Sequence, residues 1–299
     1  MDRRVARVGE TAARIGAPKK IARFIRRRAR ANVRAMRGRL PSSLLLVGAM
    51  VSAGCDKPPV DWTDPEPMAI ASGGRSRLVV DSAGAARFAV DTTASRIAAP
   101  PAAVGVCESS LQTAVGPTRA WAGWWRVRPD SSAGLYVASS ADSGRTWGDQ
   151  IAVDTSDASS NGCDRPPPSL TTVGDDVYVA YAMTAPEGTG VFFAHVMSGM
   201  LHSPVAVIYG DRLVHTAIAA QDPRVAVAYE NPNGAAQQIG LAFSTTQGHL
   251  FDWRTMASRG IDHAVLPAVA LSGPMLAVAW TRAQSGDSTR RMVRVGRLQ

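Results

Sequence analysis

The chain has 299 residues, 45% of them apolar and 6% aromatic, with a formal net charge of +9. That apolar share is enough to bury one large β domain or two ordinary ones, which excludes an intrinsically disordered protein. The charge does not imply a nucleic-acid partner: residues 1–40 hold 14 Lys and Arg against Asp2 and Glu10, a balance of +12, so the remainder of the chain sums to −3.

The first element is the basic stretch "KKIARFIRRRARANVRAMRGR". Read alone it is an amphipathic helix for RNA or anionic lipid, but the next segment explains the charge more simply. "LPSSLLLVGAMVSAGC" holds a short apolar core, Leu44 to Val51, then small residues before Cys55. It is too short to cross a bilayer and has the length of a signal-peptide core. "VSAGC" resembles the bacterial lipoprotein signal, in which the Cys is lipidated and becomes the N-terminus, although Ser52 stands where an aliphatic residue is usual. Starting at Met36 gives a signal of ordinary length, so residues 1–35 read as a basic segment that is not translated, and 36–55 as the signal. An unlipidated, buried Cys55 is the alternative. Asp56 resembles an inner-membrane retention signal. The resemblance implies an extracytoplasmic body anchored on the periplasmic face of the inner membrane or on the cell surface, where oxidising chemistry is available to Cys107 and Cys163. Residues 56–75, rich in Pro, acids and Gly, read as a tether.

From residue 76 onward the pattern is β. "RLVVDSAGAARFAVDTTA" precedes four similar segments: "ESSLQTAVGPTRAWAGW", "PSLTTVGDDVYVAY", "TAIAAQDPRVAVAY" and "PAVALSGPMLAVAW". Each is two apolar-alternating runs around a polar or Gly turn, closing on an aromatic at Trp124, Tyr181, Tyr229 or Trp280. Two further strand candidates separate successive hairpins, as in "GLYVASS" with "QIAVD". Four strands per repeat of about fifty residues is the arithmetic of a propeller blade. The expected fold is therefore an all-β propeller over 76–299, of about five four-stranded blades with four or six as alternatives. A β-sandwich has similar turn spacing without the long-range repeat. The last repeat lacks a fourth strand after "RRMVRVGRLQ", and the segment from Arg75 to Thr93 is expected to supply it and close the ring.

Between two of these strands lies Ser140-x-Asp142-x-Gly144-x-Thr146-Trp147, which resembles the Asp-box, or BNR, repeat of sialidases. Ser140 and Asp142 can accept from backbone amides nearby, Gly144 can take a positive φ, and Trp147 can fold back over apolar surface. An eroded copy occurs at Ser244-x-Thr246-x-Gly248 with Trp253 late, and the second blade keeps only "HVMSGM". The motif is structural, and the resemblance implies a site at the opposite end of the blades.

That end carries the loops entering each first strand and leaving each second one. They place Cys107 with Glu108, Cys163 with Asp164 and Arg165, and Asp262 with His263 beside Trp125, Arg126, Glu230, Asn231 and Arg282. Carboxylates, arginines and an exposed aromatic suit a sugar or anion; ordinary solvated loop ends are the bland alternative. Cys107 and Cys163 match in neighbouring blades, so a disulfide is expected, with two free thiols as the alternative. No metal is expected, since neither Cys has a second ligand at zinc spacing and the five histidines are scattered. No cofactor is expected either.

The sialidase resemblance implies three arginines clamping a carboxylate, a Tyr nucleophile and an Asp acid/base. The positions available are Arg96, Arg165 and Arg282, with Asp164 or Glu108 as acid and Tyr229 or Tyr181 as nucleophile. Arg96 lies in Ser95-Arg96-Ile97-Ala98, without the aromatic and Pro of the family motif. The reading favoured by sequence is a lipid-anchored module binding a glycan or other envelope ligand, not nucleic acid. An exo-α-sialidase or related glycoside hydrolase, and a scaffold for an envelope complex, are the alternatives.

Overall fold

The computed structural model describes residues 59–72, 75–92, 104–283 and 290–299. The signal, Cys55 and Arg96 lie outside these residues. All the regular structure described is β apart from two 3-10 turns, at Glu108–Ser110 and Gly260–Asp262.

The strands form five antiparallel sheets. The first is β5(Gln112–Val115), β6(Ala120–Val127), β7(Ala133–Ser140) and β8(Ile151–Asp154). The second is β9(Ser169–Val173), β10(Asp176–Ala185), β11(Gly188–Met197) and β12(Met200–Tyr209), and the third is β13(Thr216–Gln221), β14(Arg224–Glu230), β15(Ile239–Ser244) and β16(Trp253–Met256). Both are four-stranded meanders. The fourth runs β17(Ala264–Ser272), β18(Met275–Arg282), β19(Arg290–Leu298) and then β1(Val60–Trp62), with β2(Glu66–Ala69) also paired to β19. The fifth sheet is the hairpin of β3(Ser76–Val80) and β4(Ala86–Val90).

The radial arrangement follows from which strands meet. First strands of successive sheets contact one another in order: β5 with β9, β9 with β13, β13 with β17, and β17 with β3. The second, third and fourth sheets are therefore covered by a neighbouring sheet on both faces, and their second strands divide their side chains between two cores with the period-2 alternation of a strand. In β10, Val177, Val179, Tyr181 and Met183 face the first sheet, whereas Tyr178, Ala180 and Ala182 face the third. In β14, Val225, Val227 and Tyr229 turn to the second sheet, while Ala226 and Ala228 turn to the fourth. The second strands of the repeated hairpins are apolar along most of their length because neither of their faces meets solvent. This is a β-propeller of five sheets.

Ring closure differs from expectation. The strands completing the last sheet come from residues 60–69, in the stretch read as a tether: Val60 pairs with Leu298 and Pro67 with Met292. Residues 76–90 make their own hairpin, with Leu78, Val80 and Phe88 packed on Ala277, Ala279 and Val293. Proline content suggested a linker, but Pro is tolerated on an edge strand that needs hydrogen bonds from one side only. Val60 and Trp62 supply the apolar contact, packing over Gly296 where a Cβ would lie 2.3 Å from Val60.

The turn from β7 to β8 is built as its residues suggest. The amide of Gly144 donates to Ser140 Oγ at 2.8 Å, while the amide and hydroxyl of Thr146 donate to Asp142 at 2.8 and 2.7 Å. Those Thr146 bonds, helped by Ser140, hold the Asp142 carboxyl down to about 2. Ser143 and Gly144 take φ of 60° and 85°, and Trp147 packs on the cluster of Ala122, Trp124 and Ala138. The Ser244 copy has the same geometry: Ser244 Oγ accepts from Thr246 and Gly248, and Gln247 and Gly248 take φ of 56° and 89°.

Candidate functional site

At the end of the sheets opposite these turns lies an open cleft of about 680 Å³. Its walls are the loop entering β9 (Asn161, Cys163 to Pro167), the loop entering β13 (Asp211 to Leu213, and His215), and Thr184 and Thr189 flanking the β10–β11 hairpin turn, with Ser109 at one edge.

The floor is a chain of side chains fixed by pairing and burial. Cys107 and Cys163 form a disulfide with Cα atoms 5.4 Å apart, joining the lead-in loops of two sheets. Closing a loop of sequence separation 56 is worth roughly 4 kcal/mol in the chain-entropy picture. Arg165 Nη2 donates to Asp157 Oδ2 at 2.9 Å, both side chains having no solvent exposure. Its Nε donates to the Gly162 carbonyl at 2.8 Å, and its guanidinium lies 5.0 Å over the Trp125 ring. Trp125 in turn donates from Nε1 to the Pro166 carbonyl at 2.9 Å and meets Tyr181 edge-on at 5.9 Å. The Tyr181 hydroxyl donates to Asp154 at 2.6 Å; burial first, and that carboxylate second, raise it well above the ordinary phenol range.

The second wall rests on Glu230 and Asn231. Glu230 accepts from the amides of His215 and Leu266 and pairs with His215 Nδ1 at 3.3 Å. Arg212 donates from Nη2 to the carbonyls of Asn231 and Gly234. The hydrogen bond that His215 donates to Glu230 raises the imidazole above its ordinary value of 6.5. Desolvation pushes Glu230 up, but His215 and the Leu266 amide outweigh it and leave the carboxyl below its ordinary 4.5. The two signs define a window. His215 contributes stability that is full below 6.5 and lost as pH rises through its raised value; Glu230 contributes above 4.5 and loses it as pH falls through its lowered one. We expect the His215 ring signal in an NMR titration to move above 6.5, and Glu230→Gln to return it towards 6.5.

Among the described residues expected at the site, Cys163, Asp164 and Arg165 line the cleft and the others do not, while Arg96 lies outside the described residues. Trp125, expected as an exposed aromatic, is fully buried beneath Pro166. Glu230 and Asn231 support the wall from behind. Glu108 is exposed in its 3-10 turn next to Ser109, and Arg126 donates from Nε to the Val104 carbonyl. His263 caps the second 3-10 turn at φ 44°, and Arg282 is exposed opposite Ala264 at the end of β18 in the fourth sheet. Tyr229 is 1% exposed and burial pushes it up to about 12. Its ring occupies the space that a Cβ on Gly240 would need, so it packs as the repeat alignment suggests and no substrate reaches it. The same holds for Tyr181. Arg212, His215 and Asp211 were missed, although the loop "YGDRLVH" enters a first strand and the rule that selected Arg165 selects it too.

Three of the five histidines, though scattered in sequence, meet in the fold. His195, His202 and His249 converge at the other end of the blades with their ligand atoms within 4.8 Å of one another. Burial, with the two neighbouring rings, holds His195 down to about 4 against the pull of Gln247 and Asp176.

The chain matches no protein-family model and no curated protein. Among solved structures it is similar to a subtype N11 neuraminidase-like protein of a flat-faced bat isolate from Peru, at 10% identity and TM-score 0.44, over 76% of this chain and 58% of that one. It is similar to a xylan β-1,4-xylosidase from Bacillus halodurans at 12% identity and TM-score 0.39, over 79% of this chain and 53% of that one. A lectin of Aleuria aurantia bound to a fucosyl-GlcNAc disaccharide matches at 11% identity and TM-score 0.40, over 64% and 63%. The chain thus spans little more than half the length of the first two.

Proposed function

We propose that this chain is an extracytoplasmic binding module of the sialidase-like propeller type, anchored through a lipid on Cys55, whose cleft takes a glycan or another polyhydroxylated envelope component. The observation that carries the reading is the buried Arg165–Asp157 pair. An arginine clamp on a substrate carboxylate needs free guanidinium forks. Arg165 instead gives Nη2 to Asp157 and Ser159 and Nε to Gly162, its remaining Nη1 is buried out of solvent without a partner, Arg282 does not line the cleft, and both candidate tyrosines are sealed in the core. What remains in the cleft is both signs of charge, Asp164 and Asp211 against Arg212 and His215, with hydroxyls from Ser109, Thr184 and Thr189 and the amide of Asn161. That set offers donors and acceptors to sugar hydroxyls without a strong net field.

Membrane-extracted full-length protein on an array of sialylated, neutral and bacterial-envelope oligosaccharides, together with a fluorogenic sialoside assay, tests this. We expect retention of at least one oligosaccharide, weakened about tenfold or more by Asp164→Ala or Arg212→Ala, at the roughly 1.4 kcal/mol that a lost charge-assisted hydrogen bond carries. No sialoside turnover is expected. Turnover abolished by Arg165→Ala in a folded protein would replace this reading with the exo-α-sialidase one, and absence of any glycan retention would leave the envelope-scaffold reading. Intact mass of the same preparation should show a diacylglycerol-modified N-terminus at Cys55.

A further inference from the structure

The three histidines come from two sheets, two of them on the strands flanking one turn in which the Ser/Asp motif has eroded and the third within the other. His195 on β11 and His202 on β12 are cross-strand partners in direct register, brought together by the Ser198–Gly199 turn, whose φ values are 51° and 78°. His249 follows Gly248 in the turn from β15 to β16 of the next sheet. Ring centroids are 4.4 Å apart for His195 and His202, 5.0 Å for His195 and His249, and 5.6 Å for His202 and His249.

His195 is 2% exposed, and neither of its ring nitrogens makes a hydrogen bond of good geometry, the Gln247 backbone acting on the ring without reaching one. An unpartnered buried polar group costs about 1–3 kcal/mol, and here two nitrogens on one ring are unpartnered, with Tyr178 and Phe193 packed around them. A hydrophobic residue would fill that space at lower cost. No carboxylate belongs to the cluster itself: Asp176, which accepts from the Ser198 amide at 2.8 Å, acts on His195 only through its charge.

We propose that His195, His202 and His249 bind one divalent transition-metal ion, of which zinc is the representative. Imidazole nitrogens suit zinc, copper and nickel, whereas a set without carboxylate or carbonyl ligands does not suit calcium or magnesium. Tetrahedral Zn–N bonds of about 2.1 Å set ligand nitrogens about 3.4 Å apart. The present spread of up to 4.8 Å closes by ring rotation, for which the exposed His249 and half-buried His202 have room. Three protein ligands leave a fourth position, on the solvent side, for water. The ion ties the outer edge of the second sheet to the third at the end of the molecule away from the cleft, so the inference does not depend on the glycan reading.

Titration calorimetry of the full-length protein with zinc chloride, after chelator treatment, tests it. We expect saturation at one equivalent and a rise in Tm on loading. His202→Gln and His249→Gln should each weaken binding by more than about 100-fold, since even outer-shell changes at metal sites cost 10–100-fold. His263→Gln, outside the cluster, should bind as the parent does. Cobalt loading should give the visible ligand-field bands of a nitrogen-ligated four-coordinate ion, lost in His249→Gln. That variant alters an exposed side chain and is expected to remain folded, as circular dichroism would show. Absence of stoichiometric uptake, or uptake unchanged in the folded His202→Gln/His249→Gln double variant, overturns the proposal.

Discussion

Asp157→Ala is expected to lower the unfolding free energy by about 3–5 kcal/mol, the cost of breaking a buried ion pair by removing one partner. Both side chains of the Arg165–Asp157 pair are withdrawn from solvent, so no water replaces the lost carboxylate. Asp157 also accepts from the Ala133 amide at 2.8 Å and from the Ser159 hydroxyl at 3.0 and 3.1 Å, and these donors lose their acceptor together. At about 2–4 °C per kcal/mol for a domain of this size, Tm should fall by roughly 6–20 °C. Thermal unfolding followed by circular dichroism would read it. The control is Asp157→Leu with Arg165→Met, which removes both charges: replacing a buried pair by apolar residues is often neutral, so the double variant should recover much of the loss. If Asp157→Ala unfolds with parental Tm, the pair does not hold the cleft floor, and the case against Arg165 as a free substrate clamp weakens with it.

Gly248→Ala should cost about 2–5 kcal/mol, from two sources. A φ of +89° disfavours any residue with a Cβ by about 1–2 kcal/mol. The new Cβ would also lie 2.1 Å from Phe193 Cε1 and 2.3 Å from Cζ, and overpacking of this kind costs about 1–3 kcal/mol. Phe193 cannot retreat, because it is 1% exposed and enclosed by Phe251, His195 and Tyr178. Gly199→Ala separates the two sources: its φ is +78° and nothing lies within 4 Å of the added Cβ, so only the backbone cost of about 1–2 kcal/mol applies. Equal losses in the two variants, measured by urea unfolding, would show that Phe193 yields and that the second and third sheets are less tightly packed than their geometry implies. Because Gly248 precedes His249, its variant should also displace one of the three imidazoles.

The repeating hairpins were readable because a blade covered on both faces must be apolar throughout, and because each ends on an aromatic that fills the space beside a sheet. Tyr181, Tyr229 and Trp280 are indeed fully buried. The Ser140 to Trp147 turn was readable because all its polar contacts are local, within four residues. The closing strands were not, since Val60–Trp62 and Glu66–Ala69 form only by pairing with residues more than 200 positions away. Their proline-rich composition carries no trace of that partner. In the cleft, the rule that loops entering first strands face one end located Asp164 and Arg165, but could not tell an arginine presented to solvent from one folded under onto Asp157.

Sequence alone therefore determined what depends on short-range chemistry: the β period, the fifty-residue repeat, the turn geometry and the separation of the basic segment from the slightly acidic body. Only the tertiary structure decided what depends on which distant segments meet. It buried Trp125, committed Arg165, assigned the last sheet's closing strands, and drew His195, His202 and His249 together from two sheets. The physical reason is that local conformational preferences act over a few residues, whereas desolvation and ion or ligand coordination are properties of a neighbourhood that exists only after the sheets have packed.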